Sequence, residues 1–254
     1  MDKTFAEEPS VLREFDTYWL IQKPSGWLVH PQRGVDAPAL TDWVGQFLGQ
    51  RRVFPVHRLD RGTSGIMLWA KDSKGARTWQ EAWQSGKVRK GYVALVRGRV
   101  EGTHYLDHPV PGDEGGERKP AQSMLRAMAT VTATPRDLSL LEVEPYTGRF
   151  HQIRRHVKHL GHPLIGDSNY GRTELNRAYR QSVGLARLAL HAAWLQVPDL
   201  AFSERSSMYF APMPDSLRTP LLRLGFEKGR LEMEKLRLFL TPRCPVDSHP
   251  CESH

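Results

Sequence analysis

Residues 56–71 read VHRLDRGTSGIMLWAK, in which a single acid, Asp60, is surrounded by the basic residues His57, Arg58 and Arg61. The segment then turns through Thr63-Ser64-Gly65 into an apolar run that ends at Trp69. Alternate side chains of an extended segment share a face, so Arg58 and Asp60 are expected to face the same ligand. A carboxylate among cations stays ionised, which suits a nucleophile or a base but not a general acid. An ion pair that only closes a turn would use the same residues, and residue types alone leave both interpretations open.

The sequence on both sides of this stretch alternates between strand-like and helix-like patterns. Period-two alternation and turn residues predict strands at 18–23, 87–97, 121–134, 138–145, 185–197 and 207–212. Helical spacing of apolar residues predicts helices at 37–50, from about 72 to 86, and at 150–163 and 215–226. Strands that adjoin strands, with helices inserted singly, favour an α+β fold with a mostly antiparallel, mixed sheet flanked by helices.

The helix predicted at 150–163 has one apolar stripe, formed by Ile153, Val157 and Leu160, and its other faces are cationic. Its histidines invite a metal-site interpretation, but they lack the usual i, i+4 ligand spacing and alternate with Arg154, Arg155 and Lys158. The sequence therefore predicts no metal site here, and favours a basic helix that faces phosphates.

The overall composition narrows the possible partners. The chain has 254 residues with 36 Lys+Arg against 28 Asp+Glu, a formal charge of +8 that favours nucleic acid or an anionic membrane surface. No window approaches the roughly 18 apolar residues of a membrane span, and the first residues are too acidic for a signal peptide, so a cytoplasmic protein that does not bind a membrane is expected.

The cysteines, Cys244 and Cys251, lie at the end of the chain and provide neither a disulfide framework nor a nucleophile within the fold. Glycine-rich phosphate loops are absent from the sequence, which disfavours ATP and NAD as cofactors.

Three other classes of function can be weighed from the residues. A glycosidase needs a second carboxylate as general acid, for which Glu142 and Glu144 qualify by residue type only. A metal-dependent nuclease needs an acidic cluster for magnesium, and the sequence shows none. A noncatalytic RNA-binding protein would share the basic surface, and the aromatic residue best placed for base stacking is Tyr92, which follows Arg89-Lys90-Gly91.

Four motifs in register resemble the RluA-type pseudouridine synthases: HRLDRGTSGIML, RKGYVALVRG, LLEVEPYTGRFHQIRRHVKHLGHPLIGD and LALHA, within a match from about Trp19 to Pro214. Within that family, KPSGWLVH and IRRHVKHLGHPLIGDSNYG look most like the tRNA-specific TruC type, which acts on uridine 65. The resemblance implies a sheet split by an RNA-binding cleft, a reaction that needs no cofactor, and RNA as the partner. We expect the protein to be a monomer. The implied substrate is tRNA, with 23S rRNA or another tRNA site as the alternative.

The resemblance also implies roles for individual residues. Asp60 falls on the catalytic acid, which starts breakage of the glycosidic bond by attack on the ribose or by removal of the C2′ proton. Tyr92 would stack on the uracil and take the C5 proton, and Arg154 would pair with the catalytic acid. The implied substrate contacts are Arg58, which displaces the target nucleotide, Leu190, which walls the uracil, and Arg149, His151 and Arg61.

The predicted domain organisation is a catalytic domain at 1–226 followed by a charged, flexible tail at 227–254. Position 62 is glycine where the family often has proline, which is expected to loosen the turn that holds Asp60. This change removes no functional atom.

Overall fold

The computed structural model describes residues 7–49, 52–112, 116–200 and 205–232. Within these residues, ten strands form one sheet and two form a small hairpin. The strands are β1 (Ser10–Glu14), β2 (Tyr18–Lys23), β3 (Phe54–Pro55), β4 (Ser64–Ala70), β5 (Arg89–Arg97), β6 (Thr103–Asp107), β7 (Val110–Pro111), β8 (Arg118–Lys119), β9 (Gln122–Val131), β10 (Leu138–Pro145), β11 (Leu190–Pro198) and β12 (Ser206–Phe210). The helices in the same part of the chain are α1 (Leu40–Leu48), α2 (Ser73–Gln84), α3 (Gln152–His159), α4 (Thr173–Val183) and α5 (Asp215–Arg223).

The sheet runs β1-β2-β4-β11-β5-β10-β9-β6, with β3 paired to β4 and β12 paired to β11. Its pairings are antiparallel except between β4 and β11, which are parallel. This mixed, mostly antiparallel sheet with helices confirms the predicted α+β class. Helices cover both faces of the sheet, and alternate side chains of a central strand pack against different helices. On β4, Ile66 and Leu68 pack toward α2, while Met67 and Trp69 pack toward α1.

The junction between β4 and β11 joins the two halves of the sheet through a very short contact. The parallel register extends over two pairs, His191 with Ser64 and Ala192 with Gly65. Gly65 has φ of +126°, and a Cβ atom added there would lie 2.1 Å from the Ala192 carbonyl oxygen. A side chain would therefore push the strands apart at the point where they meet.

A buried polar network also braces this junction. The Ser64 hydroxyl lies 2.8 Å from His191 Nδ1 and accepts a hydrogen bond from Arg187 Nη2 at 2.7 Å. Burial, with a smaller effect of the Arg187 charge, lowers the pKa of His191 to about 3, so the ring is neutral at physiological pH. The network satisfies polar groups that would otherwise be costly to bury.

Local sequence signals place several helix ends correctly. Asp72 and Ser73 are both candidate caps for α2 by residue type, and the Asp72 carboxylate is the cap, accepting a hydrogen bond from the Gly75 amide at 2.6 Å. Gly49 ends α1 in the left-handed conformation. The sequence patterns did not predict α4, β1 or β6.

The segment 56–60, expected to be extended, lies outside the strands, and Phe54–Pro55 pairs with β4 just before it. At the other end of the described chain, residues 228–231 form a 3-10 turn whose Leu231 is buried in the core with α5. Part of the proposed tail therefore packs against the catalytic domain. Residues 233–254, including Cys244 and Cys251, lie outside the described residues, and the tail stays a prediction. Among the described helices, none has the length and apolar character needed to cross a membrane.

We expect Gly65→Ala to lower the free energy of unfolding by about 3 kcal/mol or more, because the new Cβ would collide with the Ala192 carbonyl. The matched control is Gly34→Ala, where φ is also positive at +77° but nothing lies within 4 Å of the added atom. Backbone strain alone should cost the control about 1 kcal/mol. Urea unfolding of both variants measures the difference, and equal losses would contradict the proposed collision.

Candidate active site

A cavity of about 310 Å³ lies on the α3 side of the sheet junction, and we call it the Tyr92 cavity. Its wall combines segments that are distant in sequence: residues 56–60, Trp83 of α2, Lys90 and Tyr92 of β5, residues 147–154, and Leu190 of β11. The cavity is thus lined by most of the predicted site residues: Asp60, Tyr92, Arg154, Leu190, Arg58, Arg149 and His151. Of the predicted site residues, only Arg61 lies outside its wall.

Arg154 is the link between Asp60 and the interior of the protein. Its Nη1 donates to the Asp60 carboxylate at 3.2 Å, and its Nε and Nη2 each donate to Asp167 at 2.8 Å. The Asp167 side chain is fully buried, whereas that of Asp60 is 25% exposed and faces the cavity. A guanidinium held on one edge by a bidentate carboxylate has its other edge fixed in direction, so Arg154 presents Nη1 to Asp60.

Asp167 is held in turn by backbone groups, and sequence reasoning gave it no role. Its Oδ1 accepts hydrogen bonds from the amides of Asn169 and Tyr170 at 2.9 and 3.0 Å. Asn176 of α4 donates to the Asp167 carbonyl and accepts from the Gly166 amide. The only available signal was the Gly-Asp pair that ends the motif HLGHPLIGD, which shows no periodicity.

His151 occupies the position before α3 with φ of +53°, the one positive φ of a non-glycine residue in the described chain. Its Nε2 accepts a hydrogen bond from Arg154 Nη1 at 2.6 Å and lies 3.6 Å from Asp60, and its Nδ1 lies 3.1 Å from the Tyr170 hydroxyl. Burial lowers the pKa of His151, and the charge of Asp60 opposes this shift without overcoming it. The neutral ring therefore accepts from Arg154 rather than competing with it for Asp60.

Lys23 stabilises the turn that carries Asp60 by donating hydrogen bonds to backbone carbonyls. Its buried ammonium donates to the carbonyls of Pro24, Arg61 and Thr63 at 2.9, 3.2 and 2.8 Å. Burial, helped by the Arg187 charge, lowers the pKa of Lys23 to about 7, although the Asp60 charge acts in the opposite direction.

The Ser25 hydroxyl adds a bond to the Gly62 carbonyl at 2.8 Å. The expected looseness at Gly62 is therefore offset by hydrogen bonds from the KPSG segment.

Tyr92 and Leu190 form the apolar part of the cavity. Leu190 is 3% exposed and packs with Ile153 and Val157 of α3. Burial, reinforced by the charge of Asp60, raises the pKa of the Tyr92 hydroxyl, so this group stays protonated. The cavity consequently offers an aromatic face, an aliphatic wall and a carboxylate within one small volume.

Exposed cations surround the cavity. Arg58 and Arg149 lie at its rim, and Arg149 donates to the Pro120 carbonyl at 3.0 Å. Arg61 instead lines a second, larger cavity of about 870 Å³ on the other side of Asp60, with Arg58 and Arg180, which we call the Arg180 cavity. The expected contact of Arg61 with the RNA substrate stays a prediction.

The structure corrects two expectations about neighbouring aromatic residues. His57 was counted among the cations near Asp60, but burial, with a smaller effect of the Lys90 charge, lowers its pKa to about 3. Its ring stacks on Trp83 with centroids 3.9 Å apart and accepts from the Leu68 amide at 3.1 Å. Helical spacing with Ala76 and Trp79 predicts Trp83 to be core, but it is only partly buried and lines the Tyr92 cavity, because it lies in the last turn of α2.

Helix α3 is less solvated than predicted. His156 is fully buried, with Nδ1 3.0 Å from the Ser123 hydroxyl and Nε2 3.0 Å from the His108 carbonyl. Arg155 donates to the Tyr170 hydroxyl at 2.9 Å and to the Pro111 carbonyl. Lys158 and His159 remain exposed, so only part of the helix presents charge to solvent.

The rival interpretations lack support among the described residues. Glu142 is buried and accepts hydrogen bonds from Arg126 and Trp194, and Glu144 forms a bidentate pair with Arg89. Neither lines the Tyr92 cavity, so no second carboxylate is placed there for a glycosidase. In the part of the chain that the structure describes, no three His, Cys, Asp or Glu side chains are grouped to hold a metal ion.

A family model described as RNA pseudouridylate synthase matches residues 17–159. The chain belongs to this family. It is 38% identical to tRNA pseudouridine synthase C of Haemophilus ducreyi over 208 residues, covering 74% of this chain and 84% of that one. It is 36% identical to tRNA pseudouridine synthase C of Salmonella typhimurium over 204 residues, covering 70% and 76%. These matches confirm the predicted family.

Solved pseudouridine synthase structures confirm the fold. Human RNA pseudouridylate synthase domain containing 4 superposes with a TM-score of 0.69 at 24% identity, over 85% of this chain and 93% of that one. Human RNA pseudouridylate synthase domain containing 1 gives 0.68 at 22% identity, over 85% and 89%.

We expect Asp167→Asn to lower the free energy of unfolding by about 3 kcal/mol near neutral pH, because the buried Arg154 loses a charged partner. Burial alone would raise the pKa of Asp167, but the hydrogen bonds and charge of Arg154 and the amides of Asn169 and Tyr170 lower it. A depressed pKa gives stabilisation that is present above the unfolded value and lost as the pH falls through the folded value. The difference between wild type and variant should therefore shrink below about pH 4.

Urea unfolding between about pH 3 and 7 tests this expectation. The matched control is Asp137→Asn, which removes an exposed pair with Arg99 at 3.4 Å and should cost less than about 1 kcal/mol. Equal costs for the two variants, or a cost at Asp167 that does not change with pH, would contradict the account.

Proposed function

We propose that this protein isomerises uridine to pseudouridine in tRNA, at position 65 of the T stem, with Asp60 as the catalytic residue. The observation that carries the proposal is the convergence of Asp60, Tyr92 and Leu190 on one cavity, with Asp60 tied to Arg154. The tRNA substrate is inferred from relatives whose names specify tRNA, of which the chain covers 76% and 84%. The net charge of +8 favours an RNA partner.

The Tyr92 cavity has the size of a small-ligand pocket and suits a single nucleotide, not a duplex. The target uridine must therefore leave its stack, as bases do in other enzymes that act on them. Arg58 is exposed at the rim beside Asp60, and we propose that it enters the stem and helps to displace this nucleotide. Arg149 and His151 lie at the same opening, where they would contact the displaced nucleotide or its phosphate.

The chemistry begins at Asp60, which attacks C1′ of the ribose or removes the C2′ proton. In either route the C1′–N1 bond breaks, the uracil turns, and C5 forms a bond to C1′. In the first route this bond displaces the Asp60 carboxylate from C1′, and in the second Asp60 returns the proton to C2′. Asp60 stays available for this step because Arg154 supplies a hydrogen bond to one carboxylate oxygen while its charge is shared with Asp167. Tyr92 stacks on the uracil and takes the C5 proton. Since its pKa is raised, the phenol is neutral, so it takes the C5 proton while its own hydroxyl proton passes to solvent water.

We expect Asp60→Asn to reduce the single-turnover rate by about 10⁴-fold, because the carboxylate is the reacting group. Binding should not weaken, since the substitution removes a negative charge from a site for a polyanion. The rate is measured by release of tritium from 5-tritiated uridine in a tRNA transcript, and affinity by filter binding. Asp137→Asn, remote from the cavity, is the control for charge and should keep the wild-type rate. Turnover that survives Asp60→Asn would show that the reacting group lies elsewhere and would contradict the proposed role of Asp60.

We expect RNA from cells that lack the gene to lose one pseudouridine, at position 65 of its tRNA substrates. Carbodiimide mapping of tRNA and 23S rRNA from matched strains with and without the gene measures this. Return of the same signal on complementation with wild type, but not with Asp60→Asn, assigns it to this site. Loss of a ribosomal signal with position 65 unchanged would replace tRNA by rRNA as the substrate.

A further inference from the structure

Lys90 is a cation in the wall of the Tyr92 cavity that the reaction scheme above does not use. It lies two residues before Tyr92 on β5, and both side chains line the cavity. Its ammonium lies 4.8 Å from the centroid of the Trp83 ring, and a Cβ atom added at Gly148 would be 3.5 Å from it. Within the described residues, this ammonium has neither a hydrogen bond nor an ion pair.

This arrangement is unfavourable for the free protein. Burial lowers the pKa of Lys90 to about 8, which leaves the side chain mostly charged at neutral pH. The cation–π contact with Trp83 compensates for this burial only in part, because it stabilises the charge less than a carboxylate or several hydrogen bonds would. The fold thus keeps a poorly compensated charge facing a cavity, which points to an anion that is absent from the free protein.

The other charged groups of the cavity wall are already committed or lie at the rim. Asp60 and Arg154 pair with each other, and Arg58 and Arg149 are exposed. His57 is neutral and stacks on the Trp83 ring that Lys90 also contacts. Among the described residues that line the cavity wall, Lys90 is therefore the partly buried cation without an anionic partner.

We infer that Lys90 stabilises the negative charge of the detached uracil, by donating a hydrogen bond from its ammonium to a uracil carbonyl oxygen. The inference rests on the proposed function. When the C1′–N1 bond breaks, its electron pair stays on the base and is delocalised from N1 onto O2, O4 and C5. An electron pair of the base then forms the C5–C1′ bond, the C5 proton leaves, and N1 gains a proton from solvent. Lys90 keeps its own protons throughout.

The position of Lys90 favours the base over an RNA phosphate. Phosphates follow the outside of the stem and are met by exposed cations such as Arg58 and Arg149 at the rim. Lys90 lies inside the cavity on the same strand as Tyr92, the residue proposed to stack on the uracil. A preorganised cation directed at charge that develops during the reaction is a typical source of rate enhancement.

The test compares Lys90→Met, which keeps length without charge, with Lys90→Arg, which keeps charge, and with Lys87→Met as a matched control. Lys87 is exposed and lies outside the cavity. Single-turnover rates and affinities are measured on the tRNA transcript across a salt series. We expect Lys90→Met to slow the reaction about 100-fold with unchanged affinity and salt dependence, and Lys90→Arg to recover at least about tenfold. Lys87→Met should match wild type.

Two outcomes would overturn the inference. Weaker binding by Lys90→Met, with a salt slope reduced by about 0.9, would identify a phosphate contact. Equal slowing by Met and Arg would indicate a packing role. Circular dichroism and urea midpoints check folding, and Lys90→Gln replaces Lys90→Met if that variant does not fold. If the proposed function itself were wrong, wild type would form no pseudouridine, so that failure can be distinguished from a failure of the inference about Lys90.

Discussion

The site depends on how Arg154 divides its guanidinium between two carboxylates. Asp167 takes the Nε and Nη2 edge, and Nη1 is left for Asp60 and His151. A buried arginine cannot be left without partners, so the position of α3 relative to the turn at Asp60 is fixed by this contact. Asp167 is held by backbone amides and by Asn176, which brings α4 into the same network. Helices α3 and α4 therefore both help to hold Asp60, which is far from them in sequence.

Away from Arg154, the turn that carries Asp60 is held by hydrogen bonds to its backbone and by close packing of the strands beside it. Lys23 and Ser25 donate to carbonyls of the turn, so they orient its backbone instead of its carboxylate. Just beyond the turn, Gly65 allows β4 to approach β11 closely. The turn is thus anchored in one half of the sheet, while Arg154 comes from the helix on the other half. The Asp60 carboxylate lies where the two halves meet.

Local patterns predicted the sheet better than the site. The strands β5 and β10 were predicted from their period-two pattern and flanking turn residues, whereas α4 was missed because its sequence is mostly polar. The pairing of Asp60 with Arg154 followed from family resemblance, because no periodicity connects residues 94 positions apart. Asp167 escaped notice because a single carboxylate after a helix has no distinctive spacing. Trp83 was assigned to the core because a helical stripe does not reveal that the end of the helix borders a cavity.

The proposed reaction requires the target uridine to leave its stem and enter the Tyr92 cavity beside Asp60. A crystal structure of this protein bound to a T-arm RNA with 5-fluorouridine at position 65 tests it most directly, since the fluorine blocks loss of the C5 proton. The account predicts a flipped nucleotide, with its base against Tyr92 and Leu190 and its ribose at Asp60. A uridine that remains stacked in the stem, or a base bound in the Arg180 cavity away from Tyr92, would contradict it.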